Sequence, residues 1–371
     1  MSCDFLQLAR QPVQQLSPYV PGKPVEELAR ELGLNPADII KLASNENPLG
    51  PSPRVLEAIE KALQELTRYP DGNGYVLKQA LARHYGLEEN RITLGNGSND
   101  VLELIAKAWL EPGNNAVFSQ YAFAVYPIAT LAAGAECRQV PARDYGHDLD
   151  AMLAAMDENT RVAFIANPNN PTGTWFDITA LERFLEAVPE HVLVVLDEAY
   201  IEYASGSELP DGIKFMARFP NLVVSRTFSK AYGLAALRVG YALSSAQVAE
   251  VLNRVRQPFN VNSLALAAAC AALEDEDYLF RSRLANDQGM QQLESGLEAL
   301  GLEWIPSRGN FIAVNFRQDA AAINRALLER GVIVRPVAGY GMPEFLRISI
   351  GTHEENARFL GVLRQVLSDD E

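Results

Sequence analysis

The chain has 371 residues, 48% of them hydrophobic, and a net charge of −15; that is too long for one simple core and about the size of two intimate domains. The negative charge argues against nucleic acid and anionic membrane surfaces as partners. Cys3, Cys137, Cys270 and four scattered histidines show no disulfide framework and no metal spacing, Met1–Arg10 lacks an apolar leader core, and no apolar run has membrane length, so the expectation is a soluble cytoplasmic protein without a metal.

The first fifty residues are dense in turns, at Ser17–Pro24 and again at Asn45–Pro51. Proline at that density prevents continuous helix or sheet, and the interspersed apolar residues predict an arm docked over the rest. From Pro53 helix and strand alternate. Helices are predicted over Val55–Leu66, Val76–Tyr85 and Val101–Leu110. Short apolar runs at Ile92–Leu94, Ala116–Phe118, Val162–Ile165, Val192–Leu196, Leu222–Val224 and Val239–Tyr241 read as strands buried on both faces. The pattern predicts a mostly parallel α/β sheet with helices on both sides.

After Ala246 the chain turns helical and alanine-rich, over Ser263–Leu273 and then Tyr278–Leu300. Strands at Phe311–Phe316, Val332–Val334 and Phe345–Ile350, with helices near Ala320–Arg330 and Glu354–Leu367, predict a compact α+β unit. The expected division is an arm over residues 1–50, a large domain over 51–275 and a small domain over 276–371.

Four loop clusters carry chemistry, each after a predicted strand, where ligands of open α/β sheets collect. Gly95-Asn96-Gly97-Ser98-Asn99-Asp100 permits a tight turn and a helix start able to hold a phosphate; a plain capped helix start reads equally well. Asp100 stands where a dinucleotide motif needs its third glycine, so a Rossmann reading fails. Asn167-Pro168-Asn169-Asn170-Pro171-Thr172-Gly173 is a rigid turn from which Asn170 can project a donor. Val194–Tyr200 puts Asp197 at the end of a buried strand, which is costly without a cationic partner. A pyridinium nitrogen is such a partner, and Tyr200 could reach the phenolic oxygen of the same ring. Thr227-Phe228-Ser229-Lys230-Ala231-Tyr232-Gly233, with Arg238 beyond, offers a lysine that can be desolvated and form an imine. Ser229 and Arg238 suit a phosphate. Together these describe a pyridoxal-phosphate site.

The same residues resemble a known family. The Lys230 segment is similar to the class-II aminotransferase lysine signature, and Asn169–Gly173 and Asp197–Tyr200 resemble its fold-type-I partners. Leu42–Pro51 and Arg68-Tyr69-Pro70-Asp71-Gly72 are similar to the amino-terminal signatures of the histidinol-phosphate aminotransferases. The resemblance runs from Tyr19 to Gly351 and implies a fold-type-I transferase with a seven-stranded, mostly parallel sheet. It implies Lys230 as imine lysine and proton shuttle, Asp197 on the pyridine nitrogen, and Asn170 and Tyr200 on the ring oxygen. Ser98, Asn99, Ser229 and Arg238 would hold the cofactor phosphate, joined by Tyr69 from the partner subunit of a homodimer with shared sites. Phe123 would stack on the ring where relatives often carry tyrosine, and nearby Tyr121 is the other candidate. Arg347 would grip the α-carboxylate of glutamate or 2-oxoglutarate, Arg335 a substrate phosphate, and Tyr19 would close over the site. The implied reaction is amino transfer between histidinol phosphate and 2-oxoglutarate in histidine biosynthesis. An aromatic amino acid aminotransferase, or a related decarboxylase of phosphorylated amino acids, is the alternative.

Overall fold

The computed structural model describes residues 3–14, 16–204 and 209–369. A short strand of the arm, β1 (Ile40–Lys41), is followed by seven strands that build one sheet. These are β2 (Ile92–Gly95), β3 (Asn115–Ser119), β4 (Glu136–Val140), β5 (Thr160–Ala166), β6 (Leu193–Asp197), β7 (Leu222–Thr227) and β8 (Gly240–Leu243). Their order is β2-β8-β7-β6-β5-β3-β4. β3 to β7 pair in parallel, and only β8 runs against its two neighbours. The sheet is the mostly parallel one that the continuous apolar runs predict.

Both faces of the sheet are covered. Val194, Leu196 and Val224 belong to the core under helices Pro53–Ala62, Tyr75–Tyr85, Ile178–Ala187 and Ser263–Leu273. Val162, Phe164, Val195 and Val223 face the core under helices Ser98–Trp109, Val125–Ala133 and Ala246–Val255. The alanines Ala265, Ala268, Ala269 and Ala272 are buried where Ser263–Leu273 lies against Pro53–Ala62, since small side chains let two helices approach closely.

Strand alternation separates two adjacent carboxylates. Asp197 ends β6 facing the cavity described below, while Glu198 turns to the other side. There its Oε2 accepts from Arg226 Nε at 2.9 Å and Nη2 at 2.7 Å, and its Oε1 accepts the Gly212 amide at 2.8 Å. Arg226 also pairs with Asp211. The second acid of the Asp-Glu pair is thus structural.

The remaining strands, β9 (Glu303–Ile305), β10 (Phe311–Asn315), β11 (Val332–Ile333), β12 (Arg335–Pro336) and β13 (Phe345–Ser349), form a smaller unit. β12-β13-β10-β9 is antiparallel, and β11 pairs in parallel with β1 of the arm. Its core joins Ile312, Val314 and Ile348 to Phe359 and Leu363 of the last helix, His353–Asp369. The long helix Glu276–Ala299 leaves the larger unit at Leu279 and enters this core at Met290, Leu293 and Leu297.

Sequence periodicity misses the short strands β1, β9 and β12 and, within the seven-stranded sheet, one strand. β4 reads Glu-Cys-Arg-Gln-Val, and it is the sheet's edge, largely exposed except for Val140. An edge strand buries too little to carry a continuous apolar run. The predicted Val55–Leu66 helix is α-helical only to Ala62 and ends in a 3₁₀ turn. The Val101–Leu110 helix starts earlier, at Ser98, because Ser, Asn and Asp fill the first turn ahead of the apolar stripe.

Candidate active site

The carboxyl ends of β2, β3, β5, β6 and β7 lie along one edge of the sheet, where open α/β sheets bind ligands. A cavity of about 190 Å³ lies there, walled by the loops after these strands, by the arm and by β12 and β13.

One corner gathers groups that could hold an anion. Ser98 and Asn99 open a twelve-residue helix into the cavity, with unpaired amides and a positive dipole end. Ser229 and Arg238 face them, and Arg238 Nη1 donates to Ser229 Oγ at 3.3 Å. Glycine is required at this corner: Gly97 has φ +81°, and a Cβ there would stand 2.3 Å from Arg238 Nη2. The Asp100 carboxylate is turned into the loop, accepting from the Asn96 amide and Asn260 Nδ2, both at 2.8 Å. The charge that ruled out a dinucleotide motif is therefore consumed locally.

Asp197 and Lys230 face the same cavity. Burial pushes the Asp197 carboxyl up to about 6, against the Tyr126 hydroxyl that donates to it at 2.8 Å and the Ala199 amide at 3.2 Å. Tyr126 is fully buried and stacks on Phe164 at 4.8 Å. Burial, followed by the charge of Arg347, brings Lys230 down to about 8. Its Nζ donates to the Ser44 carbonyl at 3.1 Å. A lysine in that range keeps roughly a tenth of its population as the neutral amine at pH 7, far more than an ordinary lysine.

Tyr200 and Asn170 also line the cavity. Burial holds the Tyr200 hydroxyl up at about 12. Asn170 Oδ1 accepts from Arg347 Nη1 at 2.5 Å, which leaves its amide Nδ2 to donate elsewhere. Phe123 is in the wall, edge-on to Tyr126 at 5.9 Å. Tyr121 is outside the cavity wall, stacked on Tyr145 at 5.8 Å, so of the two aromatic candidates Phe123 is the one facing the site.

The remaining wall carries two arginines. Arg347 is buried on β13; its Nη2 donates to the Ala43 carbonyl at 2.8 Å, while its Nε is buried without a partner. Arg335 is nearer the mouth. Its Nη2 donates to the Val20 carbonyl at 2.6 Å, and its guanidinium lies over the Tyr19 ring at 5.3 Å. The arm is thereby strapped across the opening.

Tyr69 is not part of this group within one chain. It is 83% exposed and stacks on Phe259 at 4.8 Å. Tyr126, Ser44 and Asn45 are cavity residues that motif reading gave no role. Tyr126 stands three positions beyond Phe123, where the following helix begins, and that spacing was the available signal.

These residues fit pyridoxal phosphate on structural grounds. A buried carboxylate without a cation bonded to it leaves room for a cationic partner, which a protonated ring nitrogen could be. The helix end, Ser229 and Arg238 offer donors to a phosphate, and Lys230 offers an amine between them. Among the described residues no group of three His, Cys, Asp or Glu could hold a metal.

The profile of the family described as "Aminotransferase class I and II" matches residues 37–363. The chain is 71% identical to histidinol-phosphate aminotransferase 2 of Pseudomonas aeruginosa, over 99% of this chain and 100% of the relative. It is 62% identical to the histidinol-phosphate aminotransferase of Stutzerimonas stutzeri, again over 99% and 100%. Among solved structures, the histidinol-phosphate aminotransferase of Sinorhizobium meliloti in complex with pyridoxal-5′-phosphate superposes with a TM-score of 0.90 at 34% identity, covering 98% of each chain.

The Asp197 environment sets a pH dependence for the protein freed of cofactor. Its carboxyl titrates at about 6 in the fold against about 4 when unfolded. Its contribution to stability is fully present below about pH 4 and is lost as pH rises through about 6. Two units at one group correspond to about 3 kcal/mol. Cofactor-free Asp197→Asn should therefore gain up to about 3 kcal/mol relative to wild type between pH 4 and pH 7. Unfolding midpoints of both proteins across that range test this; a constant difference would mean that Asp197 titrates normally.

Proposed function

The chain belongs to the histidinol-phosphate aminotransferases of the class I and II aminotransferase family, and we propose that its site works as follows. The protein is a transaminase of histidine biosynthesis, interconverting L-histidinol phosphate and 2-oxoglutarate with imidazole-acetol phosphate and L-glutamate. Pyridoxal 5′-phosphate, when bound, supplies the carbonyl that takes up the amino group and the ring that draws electrons from the carbon bearing it.

The observation that carries this reading is the opposed pair of Asp197 and Lys230 in one cavity, one carboxyl raised to about 6 and one amine lowered to about 8. Asp197 would hold the ring nitrogen, kept anionic by the Tyr126 hydroxyl. Lys230 would attach the cofactor and then move the proton at the carbon bearing the amine, so its placement matters as much as its basicity. Asn170 and Tyr200 would hold the ring oxygen, Phe123 would cover one face of the ring, and Ser98, Asn99, Ser229 and Arg238 would hold the phosphate.

Substrate selection falls to the two arginines. Arg347, buried and partly unpaired, suits the α-carboxylate of glutamate. Arg335, at the mouth, suits the phosphate of histidinol phosphate, and its bond to Val20 and its stacking on Tyr19 would let the arm respond to that phosphate. The working units are the arm over residues 1–50, the large domain over 51–275 and the small domain over 276–371. A cytoplasmic location is consistent with the absence, among the described residues, of any helix long and apolar enough to cross a membrane.

We further infer a homodimer with shared sites, in which the partner subunit's Tyr69 joins the phosphate corner. Exposed Tyr69 supports this, as do its exposed sequence neighbours Leu66, Tyr75 and Val76. Large exposed apolar side chains at such density suit a protein interface.

Separate single-turnover measurements of the two half-reactions test the substrate assignment. Charged hydrogen bonds of this kind are worth roughly 1.5–3 kcal/mol, so Arg335→Ala should lower kcat/KM for histidinol phosphate about ten- to a hundredfold. The 2-oxoglutarate half-reaction should change much less. An unchanged histidinol-phosphate half-reaction removes Arg335 from the phosphate site, and a wild type that prefers phenylalanine points to an aromatic aminotransferase.

Shared sites are tested by mixing inactive Lys230→Ala with a strongly impaired Tyr69→Ala protein. One site of each mixed dimer carries neither defect, so activity should reappear. No recovery in dimers shown to have mixed would place Tyr69 outside the site.

A further inference from the structure

Asn45 is 1% exposed and has φ +55°. Few residues other than glycine adopt that conformation, and asparagine is one of them. It stands where the arm passes between the two sheets, and every polar group it owns is used in a fixed direction. Its backbone N–H donates to Ser349 Oγ at 2.8 Å. An N–H can only donate, so the single proton of Ser349 is free to go to Asn45 Oδ1, 3.0 Å away. The amide orientation that puts Oδ1 on Ser349 is the favoured one, because the reverse would leave the buried Ser349 proton without an acceptor among the described residues. Its Nδ2 faces Tyr200 and donates to the hydroxyl at 3.0 Å. The Asn45 carbonyl is held by Asn310 Nδ2 at 3.0 Å.

The Tyr200 hydroxyl therefore accepts from Asn45 and cannot donate to it. Among the described residues Asn45 is its only hydrogen-bond partner. The charged or titratable groups around it include Arg347, Asp197, Tyr340, Tyr126 and Tyr203, with Lys230 Nζ 5.8 Å from the ring centroid. Tyr200 lines the cavity, so its proton has the cavity side left to serve.

We propose that Asn45, oriented by Ser349, is a positioning residue that commits the Tyr200 hydroxyl proton to the ring oxygen of the cofactor. This rests on the reading of Tyr200 as that oxygen's partner. The direction of a hydrogen bond in the large sheet's active site is then set by a hydroxyl on β13 of the small one. Asn45 touches neither substrate nor cofactor in this role; it acts through Tyr200.

The test is the pH titration of the visible absorption band of the cofactor-loaded protein without substrate. A proton donated to the ring oxygen favours its anionic form and keeps the titration midpoint low. Losing it raises the midpoint by about one pH unit. Asn45→Asp keeps the shape and the tolerance for positive φ but replaces the amide donor with an acceptor, which draws the Tyr200 proton away from the cavity. The expected result is a rise of about one unit in Asn45→Asp, and only a small further rise when the same change is added to Tyr200→Phe. Asn45→Gly, which removes the orienting donor without adding an acceptor, should raise the midpoint by less than Asn45→Asp does, and no rise at all in Asn45→Gly would overturn a positioning role for the native amide.

Equal rises from Asn45→Asp with and without Tyr200 would show a bare charge effect and overturn the proposal. So would no rise in Asn45→Asp when Tyr200→Phe alone raises the midpoint. If Tyr200→Phe alone leaves it unmoved, the underlying assignment of Tyr200 is what fails. Ser349→Ala repeats the test without a new charge should Asn45→Asp not fold: the midpoint should rise only while Tyr200 is present, and a rise independent of Tyr200 overturns the proposal.

Discussion

A carboxylate at the end of a fully buried strand governs this site. Asp197 closes β6 with its side chain under the cavity floor, and burial raises its carboxyl to about 6. Such a group is unfavourable in a low-dielectric interior unless a cation meets it. The Tyr126 hydroxyl and the Ala199 amide supply hydrogen bonds but no charge. A protonated ring nitrogen would complete the set. The same enclosure lowers Lys230 to about 8, so one environment leaves a carboxylate that a cation would stabilise and an amine brought close to neutrality. Opposite shifts in neighbouring groups are a mark of functional sites.

The arm makes the cavity depend on all parts of the chain. Leu42 accepts the Ser349 amide, Ala43 accepts from Arg347, Ser44 accepts from Lys230, and Asn45 bonds Tyr200 and Ser349. Four consecutive residues thus tie the large sheet to the small one through the site itself. Further out, β1 pairs with β11 and Arg335 holds Val20. A substrate anion reaching Arg335 would compete with the Val20 carbonyl, which couples binding to the arm's position.

Much of this was legible from residue order. Val194–Leu196 ending in Asp197, and Leu222–Val224 leading to Lys230, announce buried strands delivering charge to a sheet edge, because unpaired charges are not placed there without a use. The glycines around Ser98 announce a tight turn into a helix start, which the fold directs at the cavity. Other parts were not legible. β4 is an edge strand with little burial, so it carries no pattern. Tyr126 is an ordinary aromatic in an apolar helix until the fold brings it to Asp197. Glu198 directly follows Asp197 in the sequence, and only strand alternation and its pairing with Arg226 reveal it as structural. Asn45 depends on contacts with residues 155 and 304 positions away, which no local pattern encodes.

The chemistry proposed for this site turns on Lys230 being the amine that would hold the cofactor. Borohydride reduction of the pyridoxal-phosphate-loaded protein fixes the cofactor carbon to the lysine that holds it, and peptide mass mapping then locates the label. The label should fall on the peptide containing Lys230 and be absent from Lys230→Ala protein treated the same way. A label on another lysine, or the same labelling in Lys230→Ala, would contradict the account.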